Sequence, residues 1–208
     1  MQGRRYPFIA REGILLVASA LLLAIWCWYA GAYRLLPLPL LAGLLLYLLF
    51  RDPHRPVPAS ALGIVSPVDG VVSELETVSS GTLQGEAHRL VIRVDMWGAY
   101  TARAPVEGAV KSLASAAADG PADYATNALW IQTDEGEDVV MSFNGFRFGI
   151  PPKSFARYGE RLGQGQRCAY LRLARYVELH LPVGSRILVE PGQKLTAGSD
   201  LLGSVPQS

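Results

Sequence analysis

Two long apolar runs open the chain, and short alternating runs fill the rest. Residues 13–33 carry no charge, and after Arg34 the stretch 35–50 is again uncharged. About 20 apolar residues cross the hydrocarbon of a bilayer, so the first run has the length of a spanning helix and the second is short. Pro37 and Pro39 stand in the first turn of the second run, where proline is tolerated because those amides have no helical partner. The pattern predicts a helical hairpin over 1–50 that spans a membrane or dips into it. Arg4, Arg5 and Arg11 precede the hairpin, Arg51 and Arg55 follow it, and Arg34 alone marks the bend. The positive-inside bias then places both ends, and the domain that follows, on the cytoplasmic side of the inner membrane. Trp26, Trp28, Tyr29 and Tyr33 cluster near the bend, where interfacial aromatics belong. A cleaved signal peptide ending near Ala30, Gly31 and Ala32 is the competing pattern. It would leave 35–50 as an unexplained second apolar segment at the new N-terminus.

After residue 62 the period shortens. Segments 63–72, 89–95, 128–133, 138–143, 168–173, 176–181 and 186–190 are β-branched or alternating and are punctuated by Gly, Pro, Asp and Ser. This predicts a mainly β domain over 63–208, a small β-barrel or sandwich. Pro53, Pro56 and Pro58 make 51–62 an extended proline-rich linker.

Composition changes the picture only when it is divided. The whole chain has 208 residues, 19 basic and 18 acidic, for a net +1. Beyond Arg55 there remain 13 basic and 16 acidic residues, a net of −3, so nucleic acid is excluded as a partner. Cys27 lies in the first apolar run and Cys168 in a strand-like run, which leaves no natural disulfide. His54, His88 and His180, with no cysteine pair at ligand spacing, give no metal pattern.

An internal repeat is visible: SPVDGVV from Ser66 and APVEGAV from Ala104. In each, proline, an acid and glycine turn the chain into an apolar strand. Taken alone, Asp69 reads as a turn residue. The closing stretch EPGQKLTAGSDLLG from Glu190 has the look of the glycine-turn strand pairs of biotinyl and lipoyl domains, without their acceptor-lysine surroundings, so Lys194 reads as a solvated strand residue. Around Gly163 the sequence suggests only a turn.

Five stretches in order carry a family resemblance: YPFIAREG at Tyr6, LFRDPHRPVP at Leu49, VSPVDGVV at Val65, ARAPVEGAV at Ala102, and GQRCAYLRLARYVELHLP from Gly165 into PGQKLTAGSDLL. Over nearly its whole length the chain resembles the short class of bacterial and archaeal phosphatidylserine decarboxylases. The resemblance implies a proenzyme that cuts itself at a Gly-Ser bond. A histidine oriented by an aspartate activates the serine, and the new N-terminus becomes a pyruvoyl group, the electron sink for decarboxylation.

Against that pattern, Asp69 stands at the family aspartate. GAYTARAP puts Gly98, Tyr100 and Ala102 where the family has aspartate, histidine and asparagine, and AYLRLARY puts Ala174 and Arg175 at the scissile glycine and serine. A phenol with pKa near 10 is mostly protonated at neutral pH, and a guanidinium supplies neither nucleophile nor exchangeable proton. The expectation is therefore a membrane protein of phospholipid metabolism that cannot mature to a pyruvoyl enzyme. It would be a non-catalytic lipid-binding or regulatory family member, with no cofactor unless self-cleavage occurs. Its partners would be a membrane phospholipid and an active phospholipid-synthesis enzyme, with Arg103, Arg172 and Arg175 as candidate lipid-binding cations. Salt bridging at the domain surface is the competing role for these arginines. One alternative is an active decarboxylase making phosphatidylethanolamine from a displaced nucleophile, Ser185 in the tripeptide Gly184-Ser185-Arg186. The other is a membrane adaptor with a lipoyl-like β-domain. His88 reads as a polar loop residue and His180 as a partly exposed strand position.

Overall fold

The computed structural model describes residues 9, 11–60, 62–79, 86–99, 101–112, 128–145, 152–171 and 174–206. The chain forms two compact units, Met1–His54 and Arg55–Ser208. The boundary falls inside the stretch expected as a linker.

The first unit is a pair of packed helices, α1 (Arg11–Tyr29) and α2 (Pro37–Phe50). Small residues make the seam: Ala20, Ala24 and Cys27 of α1 are buried at helical spacing. Gly43 of α2 comes so near that a Cβ there would lie 3.5 Å from the Ala20 Cβ. Gly13 is packed on Phe50, with no room for a side chain. The leucines face outward around both helices, Leu15 at 81% exposure among them. Trp28 and Tyr33 meet edge to face at the bend, 5.6 Å between centroids.

Among the described residues no helix is long and apolar enough to cross a membrane, which corrects the spanning form of the hairpin expected to span a membrane or dip into it. The bend and the start of α2 at Pro37 divide the apolar sequence. The 14 residues of α2 reach only about 21 Å at 1.5 Å per residue, short of the roughly 30 Å hydrocarbon.

The second unit is built from strands β1 (Gly63–Val65), β2 (Gly70–Val78), β3 (Ala87–Val94), β4 (Thr101–Arg103), β5 (Gly108–Ser112), β6 (Ala128–Gln132), β7 (Asp138–Asn144), β8 (Lys153–Ser154), β9 (Arg161–Leu162), β10 (Arg167–Tyr170), β11 (Tyr176–Pro182), β12 (Arg186–Ile187), β13 (Lys194–Leu195) and β14 (Leu201–Ser204). They form an eight-stranded antiparallel sheet in the order β13-β2-β3-β11-β7-β6-β5-β9 and two three-stranded sheets, β1-β14-β12 and β4-β10-β8. The mainly β class is as the periodicity predicts. The large sheet does not close into a barrel among the described residues, since β13 and β9 are its two separate edges.

Register follows from the apolar alternation. Val72, Ile92, Val177 and Phe143 lie opposite one another across four strands, and Leu75, Leu90, Leu179 and Met141 form the next row. Slipping one strand by one residue would turn its apolar row to the other face, and a fully buried leucine or isoleucine stabilises by about 1.5–3 kcal/mol.

The repeat visible in the sequence is a structural repeat. Val65 N donates to Pro105 O and Arg103 N to Pro67 O, so the two turns bind each other reciprocally. Each then leads into a strand, β2 or β5, that is flanked by an edge strand. A second, fainter repeat supplies those edges. RYGERLGQG (157–165) and EPGQKLTAG (190–198) both place glycines at positive φ, Gly159 and Gly165 in one, Gly192 and Gly198 in the other. Gly159 and Glu160 exchange backbone bonds with Val110, and Gly192 and Gln193 do the same with Val72. The lipoyl-like closing stretch and the turn at Gly163 are thus two copies of one device.

Gly70 and Gly108 are equivalent positions in this arrangement. A Cβ would stand 2.3 Å from Arg93 O at the first and 2.2 Å from Gln132 O at the second. Gly70→Ala and Gly108→Ala are each expected to cost about 1–3 kcal/mol, read as a lower urea midpoint at unchanged slope.

Candidate functional site

Asp69 ends the turn between β1 and β2 and is 7% exposed. Its carboxylate is met from three directions. Oδ1 accepts from Ala197 N at 2.8 Å, Oδ2 accepts from Ala99 N at 2.8 Å, and the Arg55 guanidinium grips both oxygens, Nη2 to Oδ2 at 2.7 Å. Burial pushes the carboxyl pKa up. The Arg55 hydrogen bonds, the Ala197 and Ala99 amides and the Arg55 charge outweigh it and hold Asp69 below the usual aspartate range. A carboxylate has about four lone-pair directions, and here four hydrogen bonds occupy them. Asp69 is a crosslink between the start of the unit, its first repeat turn, the 95–99 turn and the closing strand pair.

The 95–99 turn is shaped by contact with Asp69. Asp95 N donates to Asp69 O, Gly98 N to Asp95 O, and Trp97 N to the Asp95 carboxylate. A Cβ on Gly98 would sit 2.5 Å from the Asp69 Cβ, so this position has no room for a side chain. Tyr100 lies outside the described residues. Ala99 before it is bonded to Asp69, and Thr101 after it opens β4.

Arg175 comes to the same end of the sheet. Its amide donates to Asn144 O, and its carbonyl accepts from Val94 N at 2.8 Å, one residue before the Asp95 that binds Asp69. Its side chain is exposed. Ala174 is buried in the turn into β11, its amide on Leu171 O. Arg172 lies outside the described residues.

Two other candidates are buried. Arg103 is 3% exposed, donates to Gly165 O, and lies along Gly198, whose added Cβ would be 2.7 Å from Arg103 Cδ. Its guanidinium is buried against the repeat glycines, unlike the exposed side chain of Arg175. Ser185 follows β11 at the end opposite Arg175, roughly 20 Å away at 3.3 Å per strand residue. Its hydroxyl is buried and has no partner among the described residues, and its neighbours Gly184 and Arg186 line a cavity of about 550 Å³ with Ser60, Leu62, Ser204, Val205 and Pro206.

Neither of the other two candidates joins the Asp69 end. His88 bridges Thr77 and the Val183 carbonyl. His180, expected to be partly exposed, is 3% exposed, because Arg89 and Val140 flank it on neighbouring strands and Glu178 shares its face. Burial lowers its pKa, and Arg89 adds to this against the pull of Glu178.

Arg55 is the site residue that sequence reasoning counted only as a flanking charge. The signal lay in RDPHRP standing just before SPVDG, but its pairing with Asp69 needed the fold. The amides of Ala99 and Ala197 leave no trace in side-chain identity.

The description "Phosphatidylserine decarboxylase" belongs to the family model that matches residues 43–203. The chain belongs to the phosphatidylserine decarboxylase family. Over 97% of its length it is 32% identical to 97% of the phosphatidylserine decarboxylase proenzyme of Burkholderia mallei (strain SAVP1). It is 31% identical, over 97% of its length, to 98% of the corresponding proenzyme of Burkholderia ambifaria (strain MC40-6). Among solved structures it resembles glucose permease IIA from Mycoplasma capricolum, with TM-score 0.46 and 18% identity over 68% of this chain and 94% of that one.

The pyruvoyl group that the proenzyme name implies has to be made from a serine. At this end of the sheet Arg175 offers a guanidinium, and the four hydrogen bonds on Asp69 leave it no lone pair to orient a base. Among the described residues, Arg175 and Asp69 do not fit the group.

Because the folded pKa of Asp69 lies below its unfolded value, the stabilisation it brings is fully present above pH about 4 and is lost as pH falls through the folded pKa. Asp69→Asn should cost about 3 kcal/mol at neutral pH, the lower end for a broken buried pair, since the Arg55 side chain keeps 15% exposure. Urea unfolding across a pH series should show this difference narrowing below pH about 4. A difference that stays constant there contradicts the assignment.

Proposed function

We propose that this chain is a membrane-associated, phosphatidylserine-directed family member that recognises a phospholipid headgroup without converting itself to a pyruvoyl enzyme. The observation that carries this reading is the pair Ala174-Arg175 beside an Asp69 whose hydrogen-bonding capacity is full. The exposed Arg175 guanidinium suits a lipid phosphate or carboxylate. The hairpin supports association with the membrane surface, since its outward leucines have no protein to cover them among the described residues of that unit. The arginine asymmetry favours the cytoplasmic face of the inner membrane. An active phospholipid-synthesis enzyme is the protein partner this role calls for.

A working decarboxylase is the second reading, and the comparisons favour it over the first. The relatives are named decarboxylase proenzymes, and they align over 97% of the chain. Ser185, with a hydroxyl unpartnered among the described residues and beside a cavity, is the nucleophile it would use. The adaptor reading has no such observation behind it.

Intact-mass spectrometry of the full chain separates the two. The first reading expects a single species of 22.5 kDa and no labelled carbon dioxide from carboxyl-labelled phosphatidylserine. Two fragments with a blocked new N-terminus would overturn it. In that event the second reading expects cleavage and gas release to disappear together in Ser185→Ala.

A further inference from the structure

We infer that the β unit carries a second membrane contact of its own: a basic and aromatic edge around the 95–98 turn that docks on an anionic phospholipid surface. The turn displays Met96 and Trp97 at its tip, 50% and 64% exposed. It is held by Asp95, whose carbonyl accepts from Gly98 N and whose carboxylate accepts from Trp97 N, and by Gly98 packed on Asp69. A rigid turn that exposes a tryptophan and a methionine suits the headgroup region, where amphipathic rings gather.

The strands beside the turn supply the charge. Lys194 pairs with Val71, Val71 with Arg93, and Arg93 with Tyr176, so these side chains share one face along a row crossing four strands. Lys194, Arg93 and Tyr176 are exposed in that row, which contains no acid, and Arg175 adjoins it. Among the described residues Lys194, Arg93 and Arg175 make no ion pair, whereas Arg55, Arg89 and Arg161 are each bound to carboxylates. Asp95, the acid of the turn, is engaged by the turn's own amide. Each cation near an anionic leaflet strengthens binding about five-fold. The same end of the sheet holds Asp69 and Arg175, so docking here would present that end to lipid headgroups.

The inference rests on the lipid-directed reading above, but not on whether the chain cleaves itself. The test uses the full chain with Trp26, Trp28 and Trp130 each changed to Phe, which leaves Trp97 as the reporter. It is mixed with vesicles of phosphatidylcholine containing phosphatidylglycerol, or of phosphatidylcholine alone, in each case with brominated acyl chains. Trp97 fluorescence should shift to the blue and be quenched on the anionic vesicles. Arg93→Glu with Lys194→Glu should weaken that quenching tenfold or more in lipid concentration, with thermal unfolding unchanged. Vesicle flotation is measured in parallel. A chain that floats while Trp97 stays unquenched overturns this inference alone, as does quenching indifferent to charge reversal. A chain that floats with neither vesicle overturns the membrane reading as well.

Discussion

The grip of Arg55 on Asp69 is the constraint on which the β unit depends. Arg55 is its first residue, Asp69 its first repeat turn, Ala99 the lead into β4, and Ala197 part of the closing strand pair. One buried carboxylate therefore ties together four segments remote in sequence. Such a pair is costly to desolvate and more costly to break, because removing one partner leaves an uncompensated charge inside the protein. The same saturation gives Asp69 its chemical character here. Its two oxygens carry four hydrogen bonds, whereas the aspartate of a base-activating pair needs a lone pair free.

Around that pair the unit is built twice. The two acidic turns bind each other through their backbones, and each is buttressed by its own glycine-turn edge strand. In the first copy the acid is inside and paired with Arg55. In the second copy Glu107 is exposed and reaches Arg161, which Asp134 also engages. Repetition explains why positive-φ glycines recur at matched places. It also explains why the buried cation Arg103 lies between Gly165 and Gly198, one from each copy. A buried guanidinium in that position shapes the turn and leaves surface charge to Arg93, Arg175 and Lys194.

Much of this was legible from the residues. Alternation exposed the strands, the Pro-acid-Gly turns exposed one repeat, and the five ordered motifs led to the family, as the matching family model bears out. The apolar runs identified a hairpin, but run length overstated the helices, because part of each run is consumed by the bend. The glycine-turn repeat was missed because only glycines and one leucine are shared between its copies. Its identity lies in backbone conformation, which side chains encode weakly.

By itself, the sequence determined which functional groups are available: an aspartate at 69, a tyrosine at 100, alanine and arginine at 174 and 175, and a serine at 185. Chemistry of that kind is local to a side chain and needs no fold to be read. Only the tertiary structure decided which groups can act together. It brought Arg175 to the strand end beside Asp69, separated Ser185 from both by the length of β11, buried Arg103, and filled the coordination of Asp69 with an arginine and two amides. Those outcomes depend on strand register and long-range hydrogen bonds, which arise from cooperative packing of the whole unit and are written in no single segment.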